Sequence, residues 1–318
     1  MNSEQVVSDI SVVILTYNEE LHIGRCIESV KGVARNIYVV DSFSTDNTLA
    51  ICQEHGVTVL QNPFVSHADQ FNWGLAHCSI DTEWVMRLDA DEYLLPELVD
   101  ELRDRLTTLP EAVNGVYVKR RVFFQGRWIK HGGYYPVWLL RVWRHGKAFC
   151  EGRLMDEHIK LSDGEAIRFN ADIVDENLHG LTIWTSKHNS YATKEAIELL
   201  NIEHRFLTYD EVEPQLLGTQ EQRKRWLKVR YARLPLFVRP LSYFVYRYLF
   251  KLGFLDGRSG LVWHFLQGCW YRFLVDAKLM ELRQAMQSGN YSPERAIFRL
   301  HGLRVGSCPA QPSSDCVR

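Results

Sequence analysis

Over the first hundred residues, short apolar runs alternate with longer segments of helical periodicity. Residues 11–15 (SVVIL) form a β-branched run, the pattern of a strand buried on both faces. A helix is predicted over residues 19–30. A second apolar run, 37–40 (IYVV), closes on Asp41. Ser44, Thr45, Asp46 and Asn47 then supply a polar turn rich in N-cap residues, and Gly56 suits the end of a helix reaching about His55. Residues 57–60 read as a third strand and 67–78 as a third helix. Residues 84–88 (WVMRL) make a fourth strand closing on Asp89, and Pro96 opens a helix to about Leu106.

Strands alternating with helices predict an α/β fold, a Rossmann-like sheet with a parallel core and helices on both faces. Ligands on such sheets bind beyond the carboxyl ends of the strands. Thr16, Asn18, Asp41, Asp89 and Asp91 all follow strands, so they are expected along one edge. From 113 to 175 aromatics, Arg and Gly mix in short runs, which predicts an irregular, partly antiparallel extension of the sheet. Residues 175–209 read as helical. The expected organisation is a catalytic-type α/β domain over 1–210, a helical, basic and aromatic extension over 211–305, and a loose polar tail over 306–318.

Composition adds limits. The chain has 46% hydrophobic and 24% charged residues and a net charge of −2, a globular balance with no overall pull toward nucleic acid. Seven cysteines with no C-x-x-C pair argue against a disulfide framework or a zinc site and for free thiols in a reducing cytoplasm. The first residues carry Glu4 and Asp9 and no basic n-region, so no signal peptide is expected. No run of about 18 apolar residues suggests a spanning helix.

Two carboxylates two residues apart, Asp89 and Asp91, just past a buried strand, need a compensating cation. A divalent Mg²⁺ or Mn²⁺ shared with substrate phosphates meets that need. The plainer alternative is a solvated turn before the next helix, with Glu92 as a third surface acid. Asp41 suits a hydrogen bond to a base or ribose, or equally an Asx turn capping the next helix.

TYNEE at 16–20, VVDSFSTDNT at 39–48, DQFNWGLA at 69–76 and LDADE at 88–92, in this order, resemble the family 2 glycosyltransferases of GT-A fold. GRWIKHGGYYPVWLLRVWR (126–144) and MDEH (155–158) resemble the bacterial branch that builds lipopolysaccharide core and exopolysaccharide. Phe43 departs from the Gly of many relatives, and Phe71 stands where a basic residue is common beside Asn72.

The resemblance implies an inverting transfer from a nucleotide-diphosphate sugar, a UDP-sugar first, to a glycan or lipid-linked acceptor. Thr16, Asn18, Glu19, Asp41 and Asn72 would hold the donor nucleotide, Asp89 the ribose or metal, and Asp91 the metal. Glu157, or else Asp156, would be the base that deprotonates the acceptor hydroxyl. Arg141 and Arg144 suit the diphosphate or a solvated strand face. Trp128, His131, Tyr134 and Tyr135 form an aromatic, Gly-rich cluster suited to stacking on an acceptor sugar, or to ordinary packing.

Residues 222–275 hold eleven Lys or Arg against one acid, Asp256, so this stretch is +10 and the rest of the chain −12. The same stretch holds fourteen aromatic residues. Basic residues among aromatics suit an anionic membrane surface, and the lipid-linked acceptors that the resemblance implies make the inner face of the cytoplasmic membrane the expected location. Nucleic-acid binding and a docked helical hairpin are the alternatives weighed. Two rival functions remain at this level: a nucleotidyltransferase on a sugar phosphate, and a non-catalytic glycan-binding homologue.

Overall fold

The computed structural model describes residues 8–152, 157–207, 226–227 and 230–305. Asp156, the start of the expected helical extension and the expected tail at 306–318 lie outside the described residues. By internal contacts the chain forms two compact units, Met1–Leu181 with Val245–His264, and Thr182–Phe244 with Phe265–Arg318.

The first unit is built on a nine-stranded sheet. Its parallel core joins β1 (Ile10–Thr16), β2 (Asn36–Asp41), β3 (Thr58–Gln61) and β4 (Trp84–Asp89) in the order β3-β2-β1-β4. Ile10, Val12 and Ile14 of β1 enter one core with Ile23 and Ile27 of α1 (Ile23–Val30) and Leu98 and Leu102 of α4 (Pro96–Arg105). Val13 and Leu15 enter another with Ala68 and Phe71 of α3 (His67–His77). Period-two alternation therefore buries both strand faces under helices, as a parallel core requires. The α/β expectation holds, and α2 (Thr48–Glu54) completes the predicted helices of this half.

Beyond β4 the sheet continues through β8 (Val137–Arg144), β6 (Val113–Phe124), β11 (Glu165–Glu176) and β5 (Glu92–Leu94), with β7 (Arg127–Ile129) on β6. The extension is mixed: β8 is antiparallel to both β4 and β6, while β6 and β11 run parallel. A separate hairpin joins β9 (Ala148–Cys150) to β10 (Ile159–Leu161).

Two helix starts differ from the sequence reading. Residues 17–22 form a turn before α1, because the Glu19 N–H donates to Thr48 Oγ1 and the Glu20 N–H to Asp46. Those backbone donors are spent across the loops instead of in a helical turn. The helix read from residue 175 is α5 (Leu181–His204). Asp175 and Glu176 still belong to β11, where Asp175 stands opposite Glu92 and pairs with Arg120 at 3.2 Å.

The second unit contains most of α5, then α6 (Val238–Val245) up to Phe244, α8 (Tyr271–Gly289) and α9 (Pro293–His301). Within it Arg239 and Asp276, each 1% exposed, form a buried ion pair. Lys278 Nζ donates to Thr193 Oγ1 at 2.9 Å, tying α8 to α5. The Val245–His264 segment, with α7 (Gly257–Phe265) beginning at its glycine, belongs to the first unit. Among the described residues no helix is long and apolar enough to cross a membrane.

Candidate active site

Parallel pairing fixes the geometry of the sheet edge. Thr16 stands opposite Asp41, and Leu15 opposite Asp89, so the ends of β1, β2 and β4 meet side by side. Thr16 is buried and its Oγ1 has no hydrogen-bond partner there. Asn18 adopts a positive φ of 54°, which lets its side chain accept from the Thr45 N–H at 2.8 Å while its own N–H donates to Ser44 Oγ. Asn18 thus locks the β1 loop onto the β2 loop.

Asp41 is fully buried. It accepts from the Ser44 hydroxyl at 2.5 Å, from the Ser44 N–H at 3.0 Å and from Gln61 Nε2 at 2.9 Å. This is the turn-capping arrangement weighed from sequence. Phe43 reaches its φ of 62° within that turn and leaves its ring half exposed at the edge. Asn72 gives both ends of its amide to the Cys150 backbone, accepting at 2.9 Å and donating at 2.8 Å. In this arrangement it positions β9.

Asp89 has a tight cationic collar. Burial would raise its pKa, yet Arg87 and Arg141 hold the carboxyl well below the usual range. Arg87 Nη2 lies 3.2 Å and Arg141 Nη2 3.4 Å from its oxygens. Arg141 also pairs with Glu92 at 2.5 Å, and Glu92 Oε2 accepts the Asp89 N–H at 3.0 Å. Glu92 is only 2% exposed. Burial pushes it up to about 7 against the pull of Arg141, with Asp89 and Asp175 adding to the rise. Glu92, considered from sequence as a surface acid, is an internal member of this cluster.

Asp91 is half-buried, and its Oδ2 accepts from Asn177 Nδ2 at 3.1 Å. Asn177 lies between β11 and α5, in a loop held by a second set of groups. His22, fully buried, has its Nδ1 2.5 Å from Glu19 and accepts the Leu178 N–H on Nε2 at 2.7 Å. His179 Nε2 stands 3.7 Å from the same Glu19 oxygen. Glu19, His22 and His179 converge closely enough to hold an ion, although both His22 nitrogens already have partners. Arg25 anchors the loop through Glu176 at 2.6 Å.

Glu157 lies on the loop between β9 and β10, beside His158, whose Nδ1 is 2.9 Å from Glu151. Burial pushes the Cys150 thiol up to about 11; Arg87 opposes that rise, while Glu157 and Asp89 both add to it. Glu157 and Asp89 therefore act on one thiol, which lies 3.5 Å from Arg87 Nη1. Arg144 is elsewhere. It pairs with Glu83, bonds the Val113 carbonyl and covers the Trp84 ring, at the far end of β4 from Asp89. That position excludes it from a diphosphate at the Asp89 edge.

The aromatic cluster splits in two. Trp128 packs edge-on against Tyr135 with Arg121 over its ring, and the Tyr135 hydroxyl donates to buried Asp172 at 3.1 Å. His131 and Tyr134 instead face the Val245–His264 segment, His131 Nδ1 lying 2.6 Å from Asp256 and Tyr134 under Arg247. The sequence reading missed Arg87, His22 and His179. A basic residue inside an apolar strand and a histidine within a turn give no local sign of the partners they meet across the fold.

Residues 11–163 match the model of the family described as "Glycosyl transferase family 2". A glycosyltransferase of Rickettsia bellii described as uncharacterized is 40% identical over 100 residues, 31% of this chain and 33% of that protein. The chain thus spans about a third of the length of that relative. A lipopolysaccharide core biosynthesis glycosyltransferase of Rhizobium meliloti is 29% identical over 205 residues, 59% of this chain and 70% of that protein. Among solved structures, glucosyl-3-phosphoglycerate synthase from Mycobacterium tuberculosis with Mn²⁺, UDP and glucosyl-3-phosphoglycerate is 28% identical. It matches 37% of this chain and 44% of that one with a TM-score of 0.29. Residues 11–163, just under half of the chain, are thus similar to glycosyltransferase family 2.

Proposed function

We propose that the chain is an inverting glycosyltransferase that moves a sugar from a nucleotide-diphosphate donor, in the first instance a UDP-sugar, to a bacterial glycan or lipid-linked acceptor. The observation that carries the proposal is the meeting of Asp89 with the ends of β1 and β2, beside the buried Arg141–Glu92 pair, with Asp91 two residues further on. The resemblance to the Rhizobium meliloti lipopolysaccharide core enzyme supports lipopolysaccharide synthesis as the setting of the acceptor.

The carboxylates fit a hard divalent ion. Asp91 is partly exposed and offers oxygen ligands, while Asp89 is held ionised but shares its charge with Arg87 and Arg141. Asp91 is therefore the stronger ligand, and Asp89 is better suited to orienting the ribose or the ion's water shell. Mg²⁺ or Mn²⁺ held there would neutralise charge on the departing diphosphate. Thr16, Asn18, Glu19 and Asp41 shape the nucleoside end of the site. Asp41 does so through the turn it caps, and Thr16 Oγ1 is a buried group with bonding capacity to spare. Glu157 removes the proton from the acceptor hydroxyl as the new bond forms at the anomeric carbon, on the face opposite the leaving group. Trp128, His131 and Tyr134 stand as the acceptor-side residues.

Residues 222–275, with their charge of +10, attach the enzyme to the anionic inner face of the cytoplasmic membrane. The test of the chemistry is nucleotide release from UDP-, GDP- and dTDP-sugars, with and without Mn²⁺. Metal-dependent hydrolysis of one donor is expected. Binding of donors without any release would favour a non-catalytic homologue, and release of pyrophosphate from a nucleoside triphosphate with a sugar phosphate would favour a nucleotidyltransferase.

A further inference from the structure

Val245–His264 packs its inner face on the sheet unit to which it belongs and leaves large apolar side chains of its outer face exposed. On the inner face Asp256, 2% exposed, accepts the His131 N–H at 2.9 Å and meets the His131 ring. Arg247 Nε donates to the Gly132 carbonyl. His264 is 1% exposed and wedged against Gly132 and Gly253, where a Cβ would stand 2.0 and 2.6 Å from its ring. These contacts hold the segment in one conformation, including Leu252 at a φ of 61° at its tip.

The outer face is apolar. Within residues 249–255, Leu249 is 51% exposed, Phe250 75%, Leu252 47%, Phe254 44% and Leu255 48%. Five large apolar side chains in seven positions stand in water at one turn. Lys251 and Arg258 are exposed beside them. The sole acid between Val245 and His264 is Asp256, which is buried. Monomeric surfaces scatter exposed apolar residues singly, and a concentration like this one marks an interaction site. Cations flanking it with no exposed acid favour an anionic partner and oppose the self-pairing of two copies.

We propose that residues 249–255 are a preformed membrane wedge that sinks to the acyl boundary of an anionic bilayer, with Lys251 and Arg258 at the headgroups. This deepens the membrane reading above and rests on it for the choice of partner. It differs in its driving force, because apolar burial is not screened by salt whereas attraction between charges is. The His131–Asp256 contact joins the wedge to the acceptor-side residues of the same unit. Insertion would therefore hold His131 and Tyr134 near the headgroup layer, where an acceptor sugar on a lipid anchor presents itself.

The test is flotation of the full chain with vesicles of phosphatidylcholine alone and of phosphatidylcholine mixed with phosphatidylglycerol, at low and high salt. Wild type is expected on the anionic vesicles at both salts. Phe250→Asp, at a site 75% exposed and outside the donor site, should cut high-salt binding by about tenfold or more while donor hydrolysis is unchanged. In Phe250→Trp, the emission added over wild type should shift blue on vesicle addition and be quenched by brominated lipid. Binding lost at high salt in wild type and Phe250→Asp alike, or added emission in Phe250→Trp that is indifferent to brominated lipid, would overturn the wedge and leave attachment by charge. No binding to either vesicle, with donor hydrolysis intact, would overturn both membrane readings but not the enzyme. Concentration-dependent dimers abolished by Phe250→Asp, without vesicle binding, would assign the face to a second copy instead.

Discussion

Glu92 Oε1 and Arg141 Nη2 stand 2.5 Å apart, both side chains buried, directly behind the carboxylate of Asp89. Removing one partner of such a pair leaves the other charge uncompensated, whereas replacing both by apolar groups can be close to neutral. Arg141→Met is expected to lower stability by about 3 kcal/mol, and Arg141→Met with Glu92→Leu to recover at least about 1 kcal/mol of that. Urea unfolding of the four proteins of this cycle measures it. If the two losses simply add, the pair is not coupled.

Removing the proposed metal ligand gives a separate prediction. Asp91 is half-buried and bonded to Asn177, so Asp91→Asn keeps the shape and the fold. It should abolish turnover and donor-dependent Mn²⁺ binding. Wild-type activity of this variant in EDTA would dismiss the ion from the mechanism.

How much of this was legible in the sequence follows from the range of the forces involved. Thr16, Asp41 and Asp89 close apolar runs, and parallel pairing places strand ends together whatever lies between, so their convergence could be read locally. Glu92 could not be read in this way. It follows two other acids in a polar run, and its burial depends on β11, whose Asp175 opposes it from 83 positions along the chain. Arg141 and Arg144 look alike on one strand, yet only the antiparallel pairing of β8 with β4 sends the first toward Asp89 and the second to Trp84. Asn72 carried the signal of a binding residue and spends it on the Cys150 backbone, a use that only the approach of β9 reveals.

The proposed base is tested by charge deletion without change of shape. Glu157→Gln should lower the turnover number by a factor on the order of 10², with donor affinity little changed, because the loss acts on the transition state. Steady-state kinetics with a hydrolysable donor and then with acceptor separate the two parameters. A silent Glu157→Gln beside an inactive Asp156→Asn would move the role one residue back.

Gly132 serves as a probe of how firmly the Val245–His264 segment is seated. Its φ is +67°, and an added Cβ would stand 2.0 Å from the His264 ring. Gly132→Ala therefore combines backbone strain with a clash against a buried side chain. It should cost on the order of 2 kcal/mol or more, seen as a lower midpoint in thermal unfolding. A midpoint equal to wild type would show that the segment is free to shift away.

Acid should loosen each unit through one buried histidine. Burial pushes His264 down to about 4, with Arg247 adding to the shift and Asp256 opposing it. Burial likewise pushes His188 of the second unit down to about 4, although its hydrogen bond to the Trp184 carbonyl opposes the shift. Unfolded histidine takes its proton near pH 6.5. Between those values the unfolded chain binds more protons than the folded one, so stability rises with pH there. The contribution of each histidine is complete above pH 6.5 and is lost as pH falls toward 4. Thermal unfolding across this range should show a falling midpoint, flattened for the second unit in His188→Gln and for the sheet unit in His264→Gln. A pH profile unchanged by either substitution would assign the acid sensitivity to the carboxylates alone, above all to Asp89, whose depressed pKa acts in the same direction at lower pH.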